Sequence, residues 1–426
     1  MTGTERLCYT AAMIQAWDHP PVRTGKRLRT YKYLLRPTQE QEQKLDFLLD
    51  QARRVYNAAL EQRITAYQET GKGIRYPAQW TTFRDLRRAE VDTLGQLNAS
   101  ALQQTLRRLD KAFAAFFRRV RAGEQPGFPR FKGRERFHSL EFTYGDGCRL
   151  LADGQGRRSF PFQNVGELRV CYHRPLPEGA ALKHVVLKRV NQRWYTCLML
   201  EHPNTAPVPA VHPVRGVGLD NGLQALVALS SGERIGNPRW LRSNLAELRL
   251  LQRHLSRQVQ GSHRRRATLR QIARSHEHIA NQRRDLQHQL SRRLVRDYDL
   301  IALEGMPLAF MNRNKHLSLA SHDAGWGGLK HCLEYKAEEA GIPLIAVDPS
   351  FTSQRCSGCG RLVEKTLAVR VHRCPSCALV LDRDVNAARN ILQLALDSLV
   401  TSPARTGQAE RNVTQRGVRA LRSCLL

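Results

Sequence analysis

No run of about eighteen consecutive apolar residues occurs in the 426-residue chain, which excludes a bilayer-spanning helix as an organising element. A basic stretch leading into an apolar block is missing as well. The first residues hold Asp18 and a Pro20-Pro21 break instead, so residues 1–25 are expected to form a loose extension and not a secretory leader. Acidic residues are scarce: 38 Asp and Glu face 68 Lys and Arg, a net charge of +30. Such a charge repels itself unless a polyanion neutralises it, so nucleic acid is the expected partner, against the plainer reading of a merely basic soluble protein.

Lysine is absent from Trp240 to Asp297, a stretch with fourteen arginines opposed only by Glu247, Glu277, Asp285 and Asp297. It reads as two long helices broken near Gly261-Ser262. A solvated helix face normally mixes Lys, Arg and Glu, whereas planar guanidinium groups fork onto phosphates and stack on bases. Arg264, Arg265, Arg266, Arg270, Arg274, Arg283 and Arg284 are the candidate nucleic-acid contacts here. His263, His276, His278 and His288 lack cysteine or carboxylate partners at ligand spacing and read as polar-face histidines.

Of ten cysteines, six are scattered without pattern, while Cys356, Cys359, Cys374 and Cys377 form two C-x-x-C knuckles separated by fourteen residues. Two knuckles at this separation can offer four thiolates to one Zn²⁺, closing a tetrahedral structural site with no open position for chemistry. A disulfide pair is the alternative, which an oxidising compartment would require. Five residues beyond Cys377 the chain reads Asp382-Arg383-Asp384-Val385-Asn386-Ala387-Ala388 and starts a helix.

The length leaves room for about two to four domains. Lys26–Leu35 alternates as a strand, and Thr38 with Gln41 has capping-box spacing ahead of a helix carrying Leu45, Leu48, Leu49, Ala52, Val55, Tyr56 and Leu60. Gly71 to Gly73 interrupt it. A second helix over Ala99–Arg121 places Leu102, Leu106, Leu109, Phe113, Phe116 and Phe117 on one face. Arg53, Arg54, Arg107, Arg108, Arg118 and Arg119 would lie opposite the apolar stripe, as a solvated face or a phosphate-tracking surface. Gly127 to Arg134 interleaves rings with cations, Arg130 and Lys132 among them, which suits either stacking on bases or a strand edge with buried rings. Short strand-like runs follow at Leu140–Tyr144 and Glu167–Tyr172, then a hairpin, Val185–Val190 and Arg193–Glu201, turning at Asn191-Gln192. These imply a small β-barrel with the helices inserted in it. Proline-rich residues 204–213 read as a linker.

Beyond it, Gly216 to Asp220 and Asp299 to Glu304 are strand patterns that each deliver a carboxylate at the end, and Asp384 opens a helix. Each signal is weak alone. Phosphodiester cleavage by two Mg²⁺ needs clustered carboxylates bridging a metal pair roughly 4 Å apart. Residues 84 and 80 positions apart, however, can be brought together only by a fold.

Taken in order, Gly218-Leu219-Asp220-Asn221-Gly222, Ile301-Ala302-Leu303-Glu304, Ser350 to Gly360 and Asp382 to Leu392 closely resemble the insertion-sequence TnpB proteins. The resemblance runs from about Arg29 to Leu394 and takes in Tyr33 to Gln41, Pro129-Arg130-Phe131-Lys132, Ala324-Gly325-Trp326-Gly327 and Leu333 to Ala337. It implies an α/β protein with all-β and helical parts. A split RuvC-like nuclease of RNase H fold would occupy 214–352 and 381–400, with a zinc-ribbon, target-nucleic-acid-binding insertion at 353–380. A wedge β-barrel at 26–37 and 126–203 would carry an inserted helical recognition domain at 38–125, and 401–426 would be a disordered basic tail. Asp220, Glu304 and Asp384 match the three RuvC carboxylates, which would hold two Mg²⁺, with Mn²⁺ as a substitute. Asp382 would be a supporting acid or an N-cap. Asn221, where the family usually has an apolar residue, and Gly305-Met306, in place of an acidic or Asn residue followed by Leu, are departures next to these ligands.

The implied activity is RNA-guided DNA cleavage by a single RuvC site. The implied partners are a guide RNA from the element's end and target double-stranded DNA, with no membrane, the protein acting as a monomer or weak dimer, cytoplasmic and nucleoid-associated. An RNA-guided DNA-binding regulator without cleavage and a transposase acting on element ends are the alternatives.

Overall fold

The computed structural model describes residues 26–152, 156, 158–203, 215–222, 224–305, 318–366 and 369–401. The expectations for 1–25, 204–213, Met306 and 402–426 therefore lie outside the described residues. The chain divides into two units that part between Asn204 and Thr205.

In the first unit, strand β1 (Lys26–Arg36) leads into helix α1 (Gln39–Thr70). Thr38 Oγ1 accepts the Gln41 N–H at 3.3 Å and Gln41 Oε1 accepts the Thr38 N–H at 3.0 Å, the reciprocal box its spacing predicts. The helix stops where Gly71 takes φ 65° as its left-handed cap. Helix α2 (Tyr76–Ala89) was not expected; Pro77 in its first turn is a start signal, but only Gln79 and Phe83 are buried. Helix α3 (Ala99–Arg121) begins on Asn98, whose side chain accepts the Ser100 N–H at 2.7 Å.

The buried stripe of α3 ends at Leu109, and Phe117 is 52% exposed. This corrects the expectation that the stripe continues through Phe117. The terminal rings pack on one another, Phe128 meeting Phe113 and Phe116 edge-on at 5.6 and 5.4 Å, and Phe113 joins them to the edge of the core.

Strands β2 (Ser139–Thr143), β3 (Leu151–Ala152), β4 (Arg158–Phe162), β5 (Gly166–Cys171), β6 (Ala181–Val190) and β7 (Arg193–Pro203) join β1 in one antiparallel sheet ordered β2-β6-β7-β1-β5-β4-β3. Its end strands β2 and β3 do not pair among the described residues, so the sheet expected as a small β-barrel is a half-barrel. The β6–β7 hairpin turns at Asn191 and Gln192, with φ 48° and 64°, both positive as a type I′ turn demands. Tyr33, Leu60, Leu102, Phe160 and Trp194 lie in one core shared by the helices and the sheet.

The second unit holds β8 (Gly216–Asn221), β9 (Ala225–Leu229), β10 (Arg234–Gly236), α4 (Trp240–Ser243), α5 (Leu245–Ser256), α6 (His263–Asp297) and β11 (Leu300–Glu304). It continues with α7 (Ser318–Ala324), α8 (Trp326–Ala340), β12 (Leu344–Val347), β13 (Val371–Arg373), β14 (Val380–Asp382) and α9 (Arg383–Thr401). The break between α5 and α6 falls at Gly261, φ 84°, and Ser262, which caps α6, as the sequence predicts. The main sheet runs β10-β9-β8-β11-β12, antiparallel through β8 and parallel from β8 to β12. All five residues of β11 are buried, as a central parallel strand covered on both faces requires.

One face packs Val217, Leu219, Ile301 and Leu303 against Leu290 and Leu294 of α6 and Trp326, Leu329 and Leu333 of α8. The Ala324-Gly325-Trp326-Gly327 motif serves this packing. Trp326 Nε1 donates to the Leu226 carbonyl at 3.1 Å, and Gln287 of α6 donates to the Gly325 carbonyl at 2.8 Å. On the opposite face, Ala302 and Val347 meet Ile391 and Ala395 of α9. No helix among the described residues is long and apolar enough to cross a membrane.

Candidate active site

Strand alternation does the first part of the assembly. Successive side chains on a strand point to opposite faces, so Leu219 and Leu303 enter the α8 side of the sheet while Gly218, Asp220, Ala302 and Glu304 face α9. The parallel register pairs Ala302 with Gly218 and Leu303 with Leu219, which sets Glu304 beside Asp220. Gly218 admits the helix: a Cβ there would lie 2.0 Å from the Ala388 carbonyl oxygen. Asp384 sits in the first turn of α9, its Oδ2 3.6 Å from where a Cβ on Gly222 would be. All three sequence-predicted carboxylates thus meet at one end of the sheet.

Glu304 and Asp384 are 7% and 5% exposed, and Asp220 shares a side-chain hydrogen bond with Glu304. Burial, then the charges of Glu304 and Asp384, push the Asp220 carboxyl well above its usual range, with Arg383 opposing. Burial also raises Glu304, opposed by hydrogen bonds from Thr352 and Asp220. The Arg383 guanidinium holds Asp384 Oδ1 through Nη2 and Nε at 2.9 and 3.0 Å. Glu304 Oε2 is buried with no hydrogen-bond partner. A buried acid cluster with an orphaned oxygen has the donor set for hard cations such as Mg²⁺.

Asp382 is the cap of this helix. Its Oδ1 accepts the N–H groups of Asp384 and Val385 at 2.9 and 3.2 Å, and its Oδ2 pairs with Arg234 at 3.1 Å. Of the two departures beside the acids, Asn221 stays in the β8–β9 ladder opposite Val227, and Gly305 N–H extends the sheet by donating to the Val347 carbonyl at 2.8 Å.

The sulfurs of Cys356, Cys359, Cys374 and Cys377 lie within 4.8 Å of one another. The nearest pairs, Cys359–Cys374 and Cys356–Cys377, are 3.5 and 3.6 Å apart, and all four thiols are free, so the disulfide alternative falls. In each knuckle a tight turn brings an N–H back to the first cysteine: Gly360 donates to the Cys356 carbonyl at 2.9 Å and Ala378 to that of Cys374 at 3.0 Å. The N–H of Cys377, with that of Ser376, lowers the Cys374 thiol to about 6, while burial raises Cys356, and Cys377, although the Leu379 N–H lowers it, is pushed up to about 12 by burial and the neighbouring sulfurs. Only at Cys374 do the protein's own groups favour the thiolate a metal takes.

The candidate basic residues divide into two groups. Arg53 is tied to Asp50 at 2.8 Å and Arg54 to the same carboxylate at 3.0 Å, while Asn57 pins the Lys132 backbone through bonds of 2.8 and 3.0 Å. Arg130 is exposed. On α6, Arg265 Nη1 donates to the Leu255 carbonyl at 2.7 Å and Arg283 pairs with Asp323 at 3.8 Å, so both serve the chain's own structure. Arg264, Arg266, Arg270, Arg274 and Arg284 are exposed. At 3.6 residues per turn, Arg266, Arg270, Arg274 and Arg284 fall within about 80° of one another. Exposed Arg292, which sequence reading did not single out although it continues the same period, lengthens this stripe to roughly 39 Å.

Comparison with known proteins adds to this geometry. Residues 197–315 match a family model described as "Probable transposase" (OrfB of IS605), and 326–391 match "Cas12f1-like, TNB domain". Residues 27–72 match a "Helix-turn-helix domain", although here they form β1 and the single 32-residue helix α1. A Streptomyces pristinaespiralis protein named "Putative RNA-guided DNA endonuclease" is 35% identical over 398 residues, covering 91% of this chain and 94% of its own. The Escherichia coli K12 protein "Putative RNA-guided DNA endonuclease InsQ" is 31% identical, covering 86% and 92%. A chain of the cryo-EM structure of the Cas12f1-sgRNA-target DNA complex aligns with a TM-score of 0.54 at 16% identity, covering 83% of both, which shows a common fold.

Proposed function

Because the chain belongs to the TnpB (IS605 OrfB) family of transposable-element RNA-guided DNA endonucleases, we propose that its three convergent carboxylates are a RuvC-type site that cuts DNA selected by a guide RNA. The observation that supports this most directly is that Asp220, Glu304 and Asp384, from three distant segments, meet in one buried and under-bonded cluster. Asp220, Glu304 and Asp384 would hold a pair of Mg²⁺ or Mn²⁺. When bound, the pair neutralises charge on the attacking and leaving oxygens and lowers the pKa of the attacking water. The α9 cap on Asp382 keeps the Asp384 carboxylate at the helix start.

The four cysteines fit one structural Zn²⁺, which completes the ribbon and leaves no open position. Base pairing between guide and target carries the sequence specificity, while the α6 arginine stripe tracks phosphates. The domain roles follow the family: a wedge sheet (26–37, 126–203), recognition helices (38–125), the split nuclease (214–352, 381–400) and a target-binding ribbon (353–380).

The test is purified protein with its native flanking RNA, supercoiled target DNA and Mg²⁺. Guide-dependent linear product that disappears in Asp220→Ala is expected. Tight binding without cutting, unchanged by Asp220→Ala, would overturn the reading in favour of a regulator, and joined products would overturn it in favour of transposition.

A further inference from the structure

Two asparagines on one face of α9, Asn386 and Asn390, are 0% and 4% exposed. Asparagine is a poor interior helix residue because its amide competes for backbone groups, so two buried ones a turn apart call for a reason. Both are used on one segment, the chain entering the first cysteine knuckle. Asn390 Nδ2 donates to the carbonyls of Thr352 and Arg355 at 2.8 and 2.6 Å. Asn386 Nδ2 donates to the same Arg355 carbonyl at 2.8 Å, and its Oδ1 accepts the Ser357 N–H at 2.9 Å. The segment is thereby strapped to the helix that carries Asp384.

At the start of the strap, the buried Thr352 hydroxyl lies 3.3 Å from Glu304 Oε1 and 3.0 Å from the Pro349 carbonyl. It has one proton for two acceptors, and an ionised carboxylate is the stronger of them. Oε2 of the same Glu304 is the buried oxygen without a partner. The Thr352 donor on Oε1 sets the rotation of the carboxylate, and Oε2 has no partner beyond the hydrogen bond that Asp220 shares with this group.

We propose that Thr352 is a positioning residue for Glu304, orienting its carboxylate so that Oε2 is presented to the metal, and that Asn390 and Asn386 hold Thr352 in that place. The inference rests on the proposed role of the acid cluster. Through this strap the cysteine knuckle and the acid cluster become mechanically one site: Ser357 adjoins the ligand Cys356, and Thr352 touches the ligand Glu304. Hydrogen-bond partners behind a metal ligand typically matter by ~10–100-fold in affinity.

The experiment uses the full chain with its guide RNA and reads Mn²⁺ binding by electron paramagnetic resonance. Thr352→Val, which keeps the shape and removes the donor, is expected to weaken Mn²⁺ about 10-fold. Thr352→Ser should restore it, which a purely packing role would not do. If wild type loses its Mn²⁺ site in Asp220→Ala but Thr352→Val binds Mn²⁺ within about twofold of wild type, the positioning inference is overturned and the acid site stands. If wild type has no Mn²⁺ site that Asp220→Ala removes, both fall together. Should Thr352→Val lose its cooperative melt, Asn390→Ser read the same way decides, weaker Mn²⁺ binding supporting the strap and unchanged binding overturning it.

Discussion

The cysteine cluster and the acid cluster lie on either side of the same helix start, yet they are built by opposite means. Four sulfurs from one 22-residue stretch come within 4.8 Å through two local turns and a short hairpin. The three carboxylates come from positions 220, 304 and 384 and meet only after a parallel strand pair and a helix have packed. A locally encoded site can form as soon as its own ligands find the metal. A topologically encoded one depends on the core beneath it, and each of its parts is exposed to failure elsewhere.

The largest expected effect breaks the local site. Cys359→Ser removes one of the four thiols proposed to hold a structural zinc, and sites of that kind bind with ~10–16 kcal/mol apparent at neutral pH. Zinc should be lost and amide protection should vanish across the ribbon, while the β8–β11 strands keep theirs. Metal analysis and hydrogen exchange check this, and one zinc per chain in the variant would mean that the four-ligand assignment is wrong. Asp384→Ala, by contrast, should leave zinc content unchanged.

The next effect breaks the topological site without touching a ligand. Gly218→Ala would place a methyl 2.0 Å from the Ala388 carbonyl, and backbone on both sides cannot yield as a side-chain tip could. Helix α9 must move outward and take Asp384 with it, a destabilisation of about 3 kcal/mol or more. A lowered melting temperature together with lost cleavage is expected. Wild-type stability would show that α9 does not seat on β8.

A smaller effect has a sign set by the acids themselves. The folded-state pKa of Asp220 is raised, so its ionisation opposes folding. Below the ordinary carboxylate range both folded and unfolded forms are protonated and nothing is lost. As pH rises from that range toward the raised folded value, the unfolded chain ionises first and stability falls. Asp220→Asn, in chelator at neutral pH, should therefore melt higher than wild type, and the gain should disappear near pH 4. Excess Mg²⁺ should reverse the order, since wild type then gains binding free energy that the variant lacks. An equal melting temperature at pH 7 in chelator would contradict the burial of this cluster.

The same contrast explains what was legible in the sequence. The capping box at Thr38, the I′ turn at Asn191-Gln192, the break at Gly261-Ser262 and the cysteine knuckles are short-range patterns, and each could be read directly. The meeting of the acids could not. It follows from a register, Leu303 opposite Leu219, that no local pattern encodes, and it was reached through resemblance to a family. Helix α2 escaped because only two of its residues are buried, so it shows little apolar period. The arginines of α6 looked alike in sequence, and only packing separates Arg265 and Arg283, tied to a helix end and to Asp323, from the exposed stripe.

The smallest effect lies inside the ribbon, where the two knuckles can be compared directly. Each turns back on its first cysteine through a residue with positive φ, Gly360 at 77° in one and Ala378 at 58° in the other. The left-handed conformation costs a non-glycine residue about 1 kcal/mol or somewhat more, and glycine relieves it at the expense of a looser unfolded chain, which offsets roughly half. Ala378→Gly should then strengthen zinc retention by about 0.5 kcal/mol, a little over twofold in competition with a chelator. Gly360→Ala should weaken it by about the same 0.5 kcal/mol. A Cβ at Gly360 meets nothing within 4 Å, so backbone conformation alone carries that difference. Equal retention in both variants would mean that the zinc cluster, once loaded, imposes its turns whatever residue stands there.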